Sequence, residues 1–172
     1  MTQESFKISD RPSWNEYFLM LAFDVAWRSD DLFIKHGAVI VDNLSKHIIS
    51  TGYNNTFKGC DTNIVKINDR DARRKWMIHA EENAIMNSTK NAQELKDGAT
   101  IYVTGLPCVN CLQRIINFGI THLVYAERAG SITEDNSSHD MRNKILNMTH
   151  LKIDTINTDN KWIKKNNFSP SS

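Results

Sequence analysis

Apolar residues recur with a helical period near the start of the chain and then in short runs separated by polar turns. Trp14 and Phe18 belong to a set of apolar positions spaced as on one face of a helix. Ser13 and Glu16 have the spacing of a capping box, in which each side chain accepts a hydrogen bond from the other residue's backbone N–H. The pattern therefore predicts a first helix over residues 13–28.

The rest of the chain predicts an α/β fold. Strands are predicted at residues 37–41, 47–52, 100–104, 123–126 and 151–156, and helices at residues 79–87, 108–118 and 138–148. The turn residues Asp42 and Asn43 join the first two strands as an antiparallel hairpin, whereas the later strands are joined through helices and are expected to be parallel. The expected architecture has three layers, with a mixed five-stranded sheet between helices on both faces.

Length and composition fit one domain. With 172 residues, of which 40% are apolar, the chain can bury one sizeable core. We expect a single domain over residues 1–156 and a polar, poorly ordered C-terminal tail over residues 157–172. The polar segment 53–76 is longer than ordinary connections, which is typical of functional or mobile loops.

Charge and cysteine content favour a cytoplasmic protein that acts on a small molecule. The 21 basic and 20 acidic residues nearly cancel, which argues against the positive field needed to hold a long nucleic acid. Residues 1–10 contain no apolar signal segment, and no stretch is long enough to span a bilayer. Three cysteines do not make a secreted disulfide scaffold. We therefore expect neither nucleic-acid nor membrane partners.

Two short motifs predict a zinc site. His79 begins one predicted helix, and Cys108 and Cys111 lie in the first turn of another. Residues three apart on a helix share a face, so both thiolates can bind one ion, and the positive helix N-terminus favours thiolates over thiols. Pro107 suits a helix start. Three protein ligands with a fourth position open to water are typical of catalytic zinc.

Glu81 is predicted to be the catalytic proton carrier. It lies two residues after His79 and is not needed as a ligand. Zinc lowers the pKa of bound water, and the resulting negative charge would raise the pKa of a neighbouring carboxyl toward working pH. His-x-Glu with Pro-Cys-x-x-Cys is the signature of zinc deaminases of nucleobases. The motifs therefore indicate hydrolysis of an amino group with release of ammonia.

Non-catalytic interpretations of the same motifs remain open. A structural zinc site would close its coordination with a fourth protein ligand, for which Cys60 and His36 are candidates. Cys108 and Cys111 alone also fit a redox pair. A zinc-stabilised binding module is the corresponding function outside enzymology. None of these explains a glutamate beside the histidine.

Four segments resemble the deoxycytidylate (dCMP) deaminases of the cytidine deaminase superfamily. They are Gly37-Ala38-Val39-Ile40, Gly52-Tyr53-Asn54-Asn55, His79-Ala80-Glu81-Glu82-Asn83-Ala84-Ile85 and Thr104-Gly105-Leu106-Pro107-Cys108-Val109-Asn110-Cys111. The resemblance implies a cytidine-deaminase-like fold and zinc-dependent deamination of dCMP to dUMP, which supplies thymidylate synthesis.

The resemblance also implies how the nucleotide is held. Asn54 would hydrogen-bond the sugar 3'-hydroxyl, and the backbone of Ala80 would contact the base O2. Thr104, Leu106 and Pro107 are further substrate-binding candidates. The substrate phosphate is expected at Lys35 or, as second choice, at Arg128.

By the same resemblance, the enzyme is a homohexamer regulated by nucleotides. The activator is dCTP with Mg²⁺ and the inhibitor is dTTP. The loop over residues 54–61 resembles the family's effector-binding loop, with Asn55, Lys58, Gly59 and Asp61 as candidate contacts. It departs from the family pattern at Asn55, where glycine is common, and at Phe57, where proline is common.

Two other deaminases share the zinc signature. A tRNA or single-strand nucleic acid deaminase would need a basic groove with aromatic stacking platforms, whereas Trp76 and Phe118 are expected in the core. A cytidine deaminase acting on the free nucleoside would not need the phosphate.

Overall fold

The described part of the chain contains seven strands and six α-helices. The computed structural model describes residues 11–66, 68–95, 97–127 and 136–164. The helices are α1 (Trp14–Ala26), α2 (Arg70–Arg74), α3 (Ala80–Met86), α4 (Val109–Asn117), α5 (Asn136–Met148) and α6 (Lys161–Lys164). The strands are β1 (Gly37–Asp42), β2 (Ile48–Tyr53), β3 (Asn55–Thr56), β4 (Met77–Ile78), β5 (Ala99–Val103), β6 (Ile120–Glu127) and β7 (Lys152–Asn157).

Five strands form one mixed sheet in the order β2-β1-β5-β6-β7. β1 pairs antiparallel with both β2 and β5, and β5, β6 and β7 run parallel. The short strands β3 and β4 form a separate antiparallel pair that the sequence pattern did not predict. The predicted three-layer fold with its mixed five-stranded sheet is confirmed.

Two hydrophobic cores lie on opposite faces of the sheet. Alternation along the central strands divides their side chains, so that Ile101 and Val103 pack toward one core while Tyr102 packs toward the other. The first core also contains buried residues of α3, α4 and α5, and the second contains α1 together with Ile163 of α6. Because both faces are covered, β5 is buried along its whole length.

The start of α1 and the end of α4 follow local capping chemistry. Ser13 and Glu16 form the predicted capping box at the start of α1. Gly119 follows the C-cap of α4 with φ of +88°, a left-handed conformation that glycine adopts without strain. β6 therefore begins directly at Ile120, three residues earlier than predicted, where it pairs with Ala99.

The structure corrects two sequence expectations about packing. Residues 157–164 are not a poorly ordered tail, because Ile163 is fully buried in the core and the side-chain amide of Asn160 donates to Glu16; residues 165–172 lie outside the described residues. Trp76 is not a core residue, since it is 42% exposed and stacks on Phe57. Phe118 does pack against the core. None of the helices in the described ranges is long and apolar enough to cross a membrane.

Candidate active site

The N-termini of α3 and α4 carry the predicted metal ligands. His79 is the N-cap of α3 and Cys108 is the N-cap of α4, both with extended backbone. An N-cap side chain commonly accepts a hydrogen bond from its own helix, but neither of these side chains does so. Both remain available for a ligand. Pro107 directly precedes the cap and lies two positions before Val109, the first helical residue of α4.

His79, Cys108 and Cys111 form a compact group suited to one metal ion. Their ligand atoms all lie within 4.8 Å of one another. The Nδ1 atom of His79 lies 3.6 Å from the Cys108 sulfur and 3.3 Å from the Cys111 sulfur. Tetrahedral zinc, with bonds of roughly 2.3 Å to sulfur and 2.0–2.1 Å to nitrogen, separates two such ligands by about 3.6 Å. The donor types and their spacing therefore fit zinc.

The two sulfurs hold their protons unequally. The hydrogen bond from the Cys111 thiol holds the pKa of Cys108 well below its usual range. Donating that hydrogen bond, together with burial, raises the pKa of Cys111. The hydrogen bond with Cys108 also raises the pKa of His79. Cys108 is thus the anionic centre of the group, and a metal cation would take the place of the shared protons.

Glu81 lies in the first turn of α3 with its side chain inside the protein. It is only 6% exposed, and burial raises the pKa of its carboxyl. Desolvation disfavours the charged carboxylate, so the group exchanges a proton closer to neutral pH than a surface glutamate does. A carboxyl in this state can both accept and donate a proton, as general acid–base catalysis requires.

A glycine sets the distance between α3 and the sheet. A Cβ atom at Gly52 would lie 2.2 Å from the Ala84 nitrogen and 2.3 Å from the Ala80 oxygen. The helix backbone therefore rests directly on β2. The Ser50 hydroxyl adds a hydrogen bond of 2.7 Å to the Ala84 oxygen. These contacts fix the helix that carries His79 and Glu81.

The Asn54 side chain is hydrogen-bonded to the backbone of the loop that precedes β1. Its Oδ1 accepts from the His36 N–H at 2.7 Å, and its Nδ2 donates to the Ile34 oxygen at 2.8 Å. An amide side chain has two N–H donors and two acceptor lone pairs. Within the described ranges these bonds use one N–H and one lone pair of the amide, and the other N–H and lone pair could serve the sugar contact that the resemblance implies.

The remaining substrate-binding candidates lie along the segments that hold the ligands. Ala80 is buried in the first turn of α3, where helical N–H groups have no acceptor within the helix. Thr104 is fully buried, and its hydroxyl accepts from the Gly37 N–H at 3.1 Å. Pro107 is buried, whereas Leu106 is 41% exposed. Leu106 and Pro107 also border a cavity beside α5.

Lys35, the first candidate for the substrate phosphate, is hydrogen-bonded within its own loop. Its ammonium donates to the backbone oxygens of Ser29 at 2.6 Å and Asp31 at 3.0 Å, so two of its three N–H groups close the loop after α1. A phosphate ligand at Lys35 would compete with these bonds. Arg128, the second candidate, lies outside the described residues.

The candidate effector residues follow β2. The Asn55 side chain accepts a hydrogen bond from Asn83 of α3. Lys58 and Gly59 are exposed in the next turn, and Asp61 accepts from the Asn63 N–H at 2.9 Å. Sequence reasoning assigned no role to Asn83, which also donates to the Tyr53 oxygen at 2.7 Å. An asparagine inside a helix is unfavourable unless its side chain makes such a contact. The presence of an asparagine inside the predicted helix 79–87 was therefore the signal in the sequence that this side chain is hydrogen-bonded.

The two candidates for a fourth protein ligand are engaged elsewhere. The Nδ1 atom of His36 lies 3.3 Å from the Thr104 hydroxyl, and the Cys60 sulfur lies 3.7 Å from the Asp61 oxygen. Neither belongs to the group formed by His79 and the two cysteines.

Comparisons with known proteins agree with the site. Residues 12–127 match the family model described as the cytidine and deoxycytidylate deaminase zinc-binding region. ComE operon protein 2 of Bacillus subtilis is 34% identical over 154 residues, covering 87% of this chain and 75% of that protein. Deoxycytidylate deaminase of Mus musculus is 33% identical over 152 residues, covering 86% of this chain and 83% of that protein.

A solved structure supports the fold. The apo dCMP deaminase of cyanophage S-TIM5 superposes with a TM-score of 0.59 at 22% identity, covering 85% of this chain and 99% of that chain. The family model spans most of the present chain, including His79, Glu81 and both cysteines. The chain belongs to the cytidine and deoxycytidylate deaminase family.

Proposed function

We propose that this chain hydrolyses the 4-amino group of dCMP to give dUMP and ammonia, with zinc held by His79, Cys108 and Cys111. The observation that carries the proposal is the buried Glu81 beside a three-ligand group at two helix N-termini. Relatives that bear the name deoxycytidylate deaminase favour the nucleotide as substrate. The near-neutral net charge of +1 weighs against a polynucleotide substrate.

The chain's own residues account for the proton transfers. Zinc, when bound, supplies a water molecule of lowered pKa. Glu81 takes one proton from water as its oxygen bonds to C4, and delivers that proton to N3 of the base. It then takes the remaining proton from the new C4 hydroxyl and passes it to the departing amine, so that the C4–N bond breaks, ammonia leaves and C4 becomes a carbonyl. The backbone N–H of Ala80 and the remaining amide N–H of Asn54 hold the base and the sugar.

Ammonia release with a panel of substrates tests the proposal. The panel contains dCMP, CMP, deoxycytidine, cytosine and a tRNA anticodon stem, and we expect dCMP to have the highest kcat/KM. Turnover confined to the tRNA stem would identify a nucleic acid deaminase, and a preference for deoxycytidine would identify a nucleoside deaminase. Metal-dependent capture of a partner with no turnover of any substrate would favour the binding module.

Substitution of Glu81 tests the mechanism separately. Glu81→Gln keeps the size of the side chain but removes its proton transfer. We expect bound zinc to be retained while kcat falls by roughly 10²- to 10⁴-fold, the usual contribution of general acid–base catalysis. Full turnover by a zinc-loaded Glu81→Ala variant would show that the assignment is wrong.

We further propose that dCTP with Mg²⁺ activates the enzyme, that dTTP inhibits it, and that the active form is a homohexamer. The hydrogen bond between Asn55 and Asn83 supports a connection from the candidate effector loop to the metal-binding helix. Saturation curves for dCMP with and without each triphosphate test regulation, and light scattering tests the assembly. Identical curves and a monomeric mass would refute these proposals.

A further inference from the structure

A cavity of about 220 Å³ lies beside the candidate active site, between α4, α5 and the sheet. Leu106, Pro107, Leu123 and Ile153 belong to its apolar lining. Pro107 is joined directly to Cys108. The cavity therefore adjoins the metal-binding segment while being lined by different residues.

One wall of the cavity is polar and is supplied by α5. His139, Arg142 and Asn143 all line it. Residues three and four apart on a helix share a face, which brings Arg142 and Asn143 beside His139. The Nδ2 atom of Asn143 lies 3.3 Å from the His139 Nδ1 atom. Arg142 is only 6% exposed, so its guanidinium is held inside the protein.

The charge of this wall suits an anion. Among the described residues that line the cavity, none is acidic. The Arg142 charge acts on the neighbouring Tyr125, where it partly opposes the rise in the phenol pKa that burial causes. A guanidinium presents paired N–H donors in a planar fork, and this geometry matches phosphate oxygens.

The size of the cavity indicates that it holds part of a ligand. Pockets for complete small molecules measure roughly 300–1,000 Å³, so 220 Å³ is too small for a separate triphosphate effector. A nucleotide carries its reacting amino group and its phosphate at opposite ends. Pro107 lines the cavity and is joined to the metal ligand Cys108. One nucleotide can therefore place its amino group at the metal and its phosphate in the cavity, beside α5.

We propose that this cavity is the subsite for the 5'-phosphate of the substrate nucleotide, with Arg142 as the bidentate partner and His139 and Asn143 as supporting contacts. This inference rests on the proposed function. It replaces Lys35, whose ammonium already binds two backbone oxygens of its own loop.

Binding of dUMP and of deoxyuridine, which differ only by the phosphate, tests the subsite. Calorimetry would compare the wild type with Arg142→Gln, Asn143→Asp and the control Lys144→Gln, which removes one charge from an exposed position of the same helix. We expect both cavity variants to raise the Kd for dUMP about ten- to hundredfold, as expected for loss of a hydrogen bond to a charged group. The Kd for deoxyuridine should change much less, and Lys144→Gln should change neither.

The exposed position of Asn143 keeps the test valid if Arg142→Gln does not fold. Equal losses for dUMP and deoxyuridine, or no loss in either cavity variant, would overturn the subsite. A changed response to dCTP or dTTP with unchanged dUMP binding would also overturn it, because the phosphate would then belong to an effector. Failure of the proposed function has a different signature, namely no turnover of dCMP by the zinc-loaded wild type.

Discussion

Replacing Gly52 with alanine should damage the metal site more than the fold. The new methyl carbon would lie 2.2 Å from the Ala84 nitrogen and 2.3 Å from the Ala80 oxygen, whereas ordinary contacts begin at 3.4 Å. Both neighbours are backbone atoms of α3, so no side-chain rotation relieves the contact. The difference between 3.4 and 2.2 Å means that α3 must move away from β2 by about 1.2 Å, as expected for overpacking.

That movement exceeds what a metal or catalytic site tolerates. Such sites must be held within about 0.5 Å of their working geometry, and a misplacement of about 1 Å can reduce turnover on the order of 10²-fold. Overpacking typically costs about 1–3 kcal/mol of stability. We therefore expect Gly52→Ala to fold, to bind zinc at least tenfold more weakly, and to lose about 10²-fold in kcat.

Chelator competition measures the zinc affinity, and urea unfolding measures the stability. Gly37→Ala is the matched control, because its methyl carbon would lie 2.0 Å from the Ala22 oxygen of α1, on the opposite face of the sheet. It should cost comparable stability but leave the zinc affinity near that of the wild type. Wild-type zinc affinity in Gly52→Ala, or an equal loss in Gly37→Ala, would contradict the reasoning.

Three further predictions concern groups outside the site. Asp31→Ala should lower the free energy of unfolding by about 3–5 kcal/mol, measured with urea, because it leaves the buried Arg73 without the carboxylate 3.4 Å away. Burial lowers the pKa of His122 in the folded protein below the value of 6.5 that it has in the unfolded chain. The neutral imidazole is therefore favoured by folding, and this contribution to stability is present above pH 6.5 and is lost as pH falls through the folded-state pKa. The urea midpoint of His122→Gln should therefore fall less than that of the wild type between pH 7.5 and 5, and parallel curves would contradict this. Burial raises the pKa of Tyr102 from 10.0 to about 12, so stability should fall as pH rises from 10 toward 12, and less so in Tyr102→Phe; an ultraviolet titration showing full ionisation near pH 10 in the folded protein would refute it.

The sequence predicted those features that local chemistry determines. Periodicity located all five strands of the main sheet and the helices α1, α3, α4 and α5, because each buries an apolar face. The spacing of Cys108 and Cys111 was enough to place two ligands together, since three residues make nearly one helical turn.

Features that depend on contacts between distant segments were not predictable in the same way. Lys35 was a reasonable phosphate ligand by charge, but the loop folds so that its ammonium meets two carbonyls of residues 29 and 31. Ile163 is an isolated apolar residue in a polar segment, and its burial depends on where the segment returns to α1. The burial of Arg142 was not predicted either, although this residue lies three residues before Ile145 and four before Leu146, on the apolar face of its helix.

The long polar loop and the metal site are structurally coupled at β3 and β4. Asn55 pairs with Ile78 and Thr56 with Met77, so the segment between them is closed by a pair that ends one residue before His79. Asn83 ties Asn55 to α3 from the other side. A displacement of Asn55 therefore strains two connections to the helix that carries the metal ligand. Because metal ligands tolerate shifts of only about 0.5 Å, whatever alters the closure of this loop should alter the zinc site as well.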